Sequence, residues 1–95
     1  DATQSIQILF QVIGGDQVVA SVLEVYDLSN NLIYTNTTPD ETFTLTNTIS
    51  ANSLQDGNNY KVHIKTKNSK GEFSQFSDWF VIQCFAAPVI DIIRT

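Results

Sequence analysis

Few side chains in this chain could do chemistry. There is one His, His63, and one Cys, Cys84. A hydrolytic triad needs a nucleophile, a base and a group that orients the base. His63 stands between Lys61 and Lys65 and is expected to have no carboxylate partner beside it, which suits an exposed strand position rather than a general base. A carboxylate pair for glycoside hydrolysis would have to come from Asp40 and Glu41 or from Asp16 and Asp27, and no spacing draws either pair around a cleft. One His and one Cys cannot assemble a Cys/His zinc site, and a lone Cys cannot close an internal disulfide. The run Asp56-Gly57-Asn58-Asn59 offers oxygen ligands but lacks the long calcium-loop pattern with its terminal Glu. Asp16, Asp40 and Glu41 remain as loop-end candidates for calcium. Cys84 reads as a small buried hydrophobe of the last strand. Asn36-Thr37-Thr38 matches the glycosylation sequon, which matters only in a secreted eukaryotic protein. No enzyme activity, cofactor or metal is expected.

The elements that position these residues are strands. The chain has 95 residues, one domain's worth, and buries about two-thirds of its surface on folding. Hydrophobic residues make up 42% and aromatics 11%, which argues against disorder. A formal charge of −5 argues against binding nucleic acid by phosphate neutralisation. No apolar run approaches a membrane span, and no signal peptide or basic amphipathic segment is present, so no membrane insertion is expected. Ile, Val and Thr dominate and Met is absent, a bias toward pleated, half-buried surfaces.

Period-2 alternation recurs along the chain. Ile6, Ile8, Phe10 and Val12 alternate with Gln7, Leu9 and Gln11 until Gly14-Gly15-Asp16 breaks the run. Ser21 to Asp27 follows, with Leu23 and Val25 opposite Glu24. Leu28 to Leu32 reads as a tight turn built on Asn30-Asn31, and Leu32 to Thr35 returns. Thr42 to Thr48 alternates with Phe43 and Leu45 expected inward. After the turn cluster Leu54 to Asn59, Tyr60, Val62, Ile64 and Thr66 share one face and Lys61, His63, Lys65 and Lys67 the other, a strand with one side in a core and one in water. Asn68 to Gly71 is the next turn, and the last strand falls within Trp79 to Phe85. Asp1 to Ser5 is too short and polar to assign as a first strand. The expected fold is an all-β antiparallel sandwich of about six to seven strands over residues 1–87, with 88–95 as a linker or the first strand of a following domain. Pro88 ends the last strand, and Val89 to Ile93 is strand-like.

The stretch Leu54-x-x-Gly57-x-x-Tyr60-x-Val62-x-Ile64 resembles the E–F corner and F strand of fibronectin type III domains. The resemblance implies that Tyr60 folds its hydroxyl back onto the backbone near Leu54 to Asp56, a tyrosine corner. Phe73-Ser74-Gln75-Phe76-Ser77-Asp78 resembles the Trp-Ser-x-Trp-Ser box of cytokine-receptor-type fibronectin domains. The aromatics of that box interleave with cations of strand F, here Lys65 and Lys67. Lys over Phe is a weak cation–π pair, about 0.5 kcal/mol when exposed, and the replacement of Trp and Arg removes any reason to infer a cytokine receptor. A narrower likeness rests on Ile49, Ala51, Asn52, Leu54, Gly57, Tyr60, Ser77, Asp78, Trp79, Cys84 and Pro88. It is similar to fibronectin-like modules of phage and prophage tail proteins in Firmicutes. The strand-B Trp of many fibronectin domains is absent, which leaves Ile8 and Phe10 to fill that space.

The resemblance implies a non-catalytic module, immunoglobulin-like in fold, that acts as a spacer or adhesion platform in a virion tail or other extracellular, cell-surface protein. The alternative is an accessory or carbohydrate-binding module of a secreted glycan-degrading enzyme or lysin, with Tyr26, Tyr34, Phe73 and Phe76 as candidate stacking surfaces. Partners would be neighbouring domains of the same polypeptide, other protein subunits or a host surface glycan. They would be met at loops such as Gly14-Gly15-Asp16 and Asn68-Ser69-Lys70-Gly71. Four of the five basic residues, Lys61, Lys65, Lys67 and Lys70, fall in one strand and its turn, so the acidic total conceals a basic stripe.

Overall fold

The computed structural model describes residues 4–84. Among them are six strands and no helix: β1 (Ile6–Leu9), β2 (Val18–Asp27), β3 (Leu32–Thr37), β4 (Thr46–Ile49), β5 (Asn59–Asn68) and β6 (Phe80–Gln83). They form two antiparallel sheets, one of β1 and β4 and one ordered β3-β2-β5-β6. The architecture is all-β and sandwich-like. Asp1 to Thr3 and the run from Phe85 through Pro88 to Val89–Ile93 lie outside the described residues.

The core is the meeting of the inner faces. Ile8 and Ile49 come from the smaller sheet, and Leu23, Val25, Tyr60, Val62 and Ile64 from the larger, with Leu54 and Cys84 closing one end. Alternation produces this directly, because directly paired residues point to the same side of a sheet. Leu23 pairs with Ile64 and Val25 with Val62, all four buried, whereas Glu24 pairs with His63 on the outer face. Burying one such aliphatic side chain is worth about 1.5–3 kcal/mol, so the pattern fixes the β2–β5 register: a one-residue slip would expose the whole inner row.

Turn chemistry closes the strands where the sequence placed it. At the β2–β3 turn Asn30 has φ 68°, a conformation Asn tolerates better than most residues. Asp27 accepts hydrogen bonds from Ser29 N, Asn31 N and Asn31 Nδ2, each at 2.9 Å. Those bonds hold its carboxyl below the ordinary carboxylate range, the Asn31 backbone bond contributing most. Gly57 has φ 88°, which a residue with a Cβ rarely adopts, and its N–H donates to Cys84 O at 2.6 Å.

Four expectations are corrected. Phe43 and Leu45 share the inward side of β4 by parity, but β4 begins only at Thr46. Phe43 is 57% exposed, and the inward positions are filled by Asn47 and Ile49. Val12 lies beyond the end of β1 and is exposed. The second strand starts at Val18 rather than Ser21, and β3 runs on to Thr37. The outer face of β5 is not open to water: the segment from Phe73 to Trp79 lies across it.

Candidate functional site

The outer face of β5 carries the densest arrangement of polar and aromatic groups. Strand alternation sends Lys61, His63, Lys65 and Lys67 to this side. β6 pairs only with Asn59–Val62, so the upper half of β5 would keep an open edge. Two serines close it. Ser77 N donates to Ile64 O at 2.8 Å and Ile64 N donates to Ser77 Oγ at 3.1 Å. Ser74 repeats the exchange with Thr66, at 2.8 and 2.9 Å. Each Ser thus supplies an acceptor and a donor, as a paired strand residue would. An isolated bridge between Lys67 and Phe73 extends the contact.

This latching sets Phe73, Phe76 and Trp79 at three-residue intervals over β5. The Lys65 ammonium lies 4.7 Å from the Phe73 ring centre and 5.0 Å from that of Phe76. The His63 ring is stacked between Phe76 and Trp79, at 3.8 and 3.9 Å and within 9° of parallel. Lys61 lies 4.6 Å over Trp79, and Lys67 is 6.0 Å from Phe73. The result is one continuous column: Lys67, Phe73, Lys65, Phe76, His63, Trp79, Lys61. The sequence expected only Phe73, Phe76, Lys65 and Lys67 to interleave; the column also takes in His63, Trp79 and Lys61.

The absence of a carboxylate beside His63 is corrected as well. Glu24 Oε1 lies 2.7 Å from His63 Nε2, because the β2–β5 register pairs the two residues. Tyr26 stands edge-on to Trp79 at 5.2 Å and donates its hydroxyl to Glu24 at 3.4 Å. Desolvation by its packing, then the Glu24 charge, raises the Tyr26 phenol above its ordinary value. His63 is 13% exposed at the side chain, a half-covered rung rather than an open strand residue. No motif signals Glu24–His63, since the residues are 39 apart in sequence; the pairing needs the register of two strands distant in the chain.

The remaining candidates separate into groups. Tyr60 Oη accepts from Gln55 N at 2.9 Å, within the Leu54 to Asp56 window, and Leu54 is buried beside it. The two candidate loops meet: Lys70 Nζ is 3.4 Å from Asp16 Oδ2, and Ser69 N donates to Gln17 O at 2.9 Å. Gly14, Gly15 and Asp16 share a shallow depression with Asn68, and Gly71 lines a second beside Asp40 and Lys67. Asp40 is bonded to Lys67 at 3.0 and 3.1 Å. Of the candidate sugar-stacking rings, Tyr34 turns its hydroxyl to Thr48 O and Ser50, and Phe76 gives a face to His63. Asn36 of the sequon donates to Asn47 Oδ1 at 2.8 Å. Cys84 is buried, and that burial pushes its thiol above the ordinary value. Among the described residues no three His, Cys, Asp or Glu side chains converge as a metal-ion cage requires.

No protein-family pattern, curated protein or solved structure matches this chain.

Proposed function

We propose that this chain is a fibronectin type III-like, non-catalytic module that serves as a spacer or adhesion platform in a phage tail or other modular extracellular protein. The observation that carries the reading is the continuous column from Lys67 to Lys61. Its cations and rings spend their interactions on one another along a strand, and do not converge on a reacting atom. Such a column, latched by Ser74 and Ser77 at the edge of β5, stiffens the sheet along its length. Stiffness is what a spacer needs in order to hold its neighbours at fixed separation. The Tyr60 hydroxyl bond to Gln55 supports the family reading, as it has the form of a tyrosine corner.

The test is small-angle X-ray scattering on the stretch of the full-length protein that spans this module and the domain on either side. A single narrow distribution of end-to-end distances is expected. A spread as broad as that of a flexible tether would overturn the spacer reading. A glycan array on the same material tests the platform role, and binding lost on Trp79→Ala would move the reading to carbohydrate recognition.

A further inference from the structure

A depression of about 500 Å³ lies at the end of the sandwich where β2 begins and β5 finishes, between the 39–43 segment and the Asn68–Gly71 turn. Its size is that of a small-ligand pocket. Ile6 and Cys84, near the two ends of the described residues, are held by Ile49 and Gly57 at the opposite end, roughly 30 Å of strand away. Both walls are pinned. Val19 drops out of the pairing with β5 at a bulge between Val18 and Ala20, and its carbonyl accepts instead from Thr42 N at 2.8 Å. Bulges re-aim a strand in this way beside functional sites. Lys67 reaches from β5 to both oxygens of Asp40, and the Thr42 hydroxyl donates to Pro39 O at 2.7 Å. Between these ties Glu41 is held at φ 70°, a conformation that a residue with a Cβ takes up only where its surroundings impose it. On the other wall Ser69 N donates to Gln17 O, and Asn68 Oδ1 accepts from Lys70 N and Glu72 N. The walls are fixed, yet the groups they present are unspent. The Glu41 carboxylate, the Gln17 amide and the Ser69 hydroxyl have no partner among the described residues. Phe43 lines the same depression, exposed and without an aromatic or cationic partner among them.

We infer that this depression binds a neutral sugar, with Phe43 as the stacking surface and Glu41 as the chief hydrogen-bond acceptor. The charges select a neutral ligand. Lys67 is paired with Asp40, and Lys70 with Asp16 at 3.4 Å, so an ionic ligand would have to displace a partner already in place. A hydroxyl displaces nothing. It accepts from an ammonium N–H while it donates to a carboxylate lone pair, and hydrogen bonds to charged groups are the stronger kind. The open Phe43 ring selects a flat apolar face, which the C–H side of a pyranose supplies. Walls held before the ligand arrives spare the cost of ordering them on binding. The inference deepens the platform half of the proposed function and rests on it. It places sugar stacking at Phe43 and not on the column over β5, whose rings are engaged with cations and with His63.

The test is an NMR titration of the full chain, following backbone amides. The neutral probes are methyl α-glucopyranoside, methyl β-galactopyranoside and methyl N-acetyl-β-glucosaminide; glucosamine and galacturonate are the charged ones. At least one neutral probe should give saturable shifts centred on Gln17, Glu41 to Phe43 and Ser69 to Gly71, and the charged probes should bind more weakly. Phe43→Ala should weaken that binding about tenfold, with the rest of the spectrum unchanged as the check on folding. Glu41→Gln should weaken it several-fold, and Trp79→Ala should leave it as it was. No saturable shift from any neutral probe up to its solubility limit overturns the inference. So does tighter binding of a charged probe, or an affinity that Phe43→Ala leaves unchanged. Shifts centred on Phe76 and Trp79 would keep the platform and overturn this site. The spacer reading stands or falls separately, on the scattering measurement.

Discussion

Tyr60 shows how one polar atom can fix a turn. Its ring belongs to the core cluster, and its hydroxyl is the partner of the Gln55 N–H. Removing the oxygen leaves a partly buried donor without an acceptor, a larger loss than the net value of an average hydrogen bond. Tyr60→Phe should therefore lower stability by about 1–3 kcal/mol, read from the urea midpoint at unchanged slope; an unmoved midpoint would mean the hydroxyl is idle. Asp27 acts through charge instead. Its folded value is lowered by the Asn31 and Ser29 bonds, so the folded state favours the carboxylate. The contribution is whole above the unfolded value of about 3.9 and disappears as pH falls through the lower folded value. Asp27→Asn should be less stable than the parent at pH 7, and the difference should shrink as pH falls below about 4. Urea melts at both pH values check it, and a gap independent of pH would assign the effect to turn geometry alone.

At the scale of the element, the column over β5 works only because two parts support each other. The serines hold the 73–79 segment against the strand edge, and the rings shield the cations of that strand. Trp79→Ala and His63→Ala should each destabilise, and the double variant should lose about 1 kcal/mol less than the sum, the coupling of a stacked pair. Strict additivity would make the stacking incidental. Ser77→Ala removes the acceptor of Ile64 N at a site partly shielded from water and should cost about 1 kcal/mol, with faster exchange at that amide as its own signature. The strand beneath was legible in the sequence because Tyr60 to Lys67 alternates without a break. The interleaving of Phe73 and Phe76 with Lys65 was expected only through the resemblance of Phe73–Asp78 to the Trp-Ser-x-Trp-Ser box. Glu24 under His63 was not legible, because that contact depends on the register of β2 against β5, two strands distant in the chain. Phe43 and Leu45 misled because parity says which side a residue would face and not where the strand begins.

Across the whole molecule, the two sheets meet through apolar side chains, which attract without direction. Apolar contact alone tolerates small offsets of one sheet over the other, so a directional tie is needed to set one. Asn47 supplies it. It is 2% exposed, sits on β4, and reaches across to the larger sheet. Its Nδ2 donates to Ser21 Oγ at 2.9 Å, to Asn36 O at 3.2 Å and to Ser21 O at 3.3 Å. Its Oδ1 accepts from Asn36 Nδ2 and Thr48 N, both at 2.8 Å. By pattern this position reads as a break in an apolar row, which is why the sequence hid it: a buried polar residue becomes intelligible only when its partners on other strands are known. Asn47→Ala deletes the whole set and strands groups of the buried Ser21 and the half-buried Asn36, so a loss of about 2–3 kcal/mol is expected. Asn47→Leu tests the reasoning more sharply. It restores apolar volume, so if burial alone held the sheets it would regain most of that loss. If the polar tie sets the offset, Leu should stay close to Ala in the urea midpoint and broaden the NMR signals of β4 and β3, where the two sheets would sample more than one arrangement.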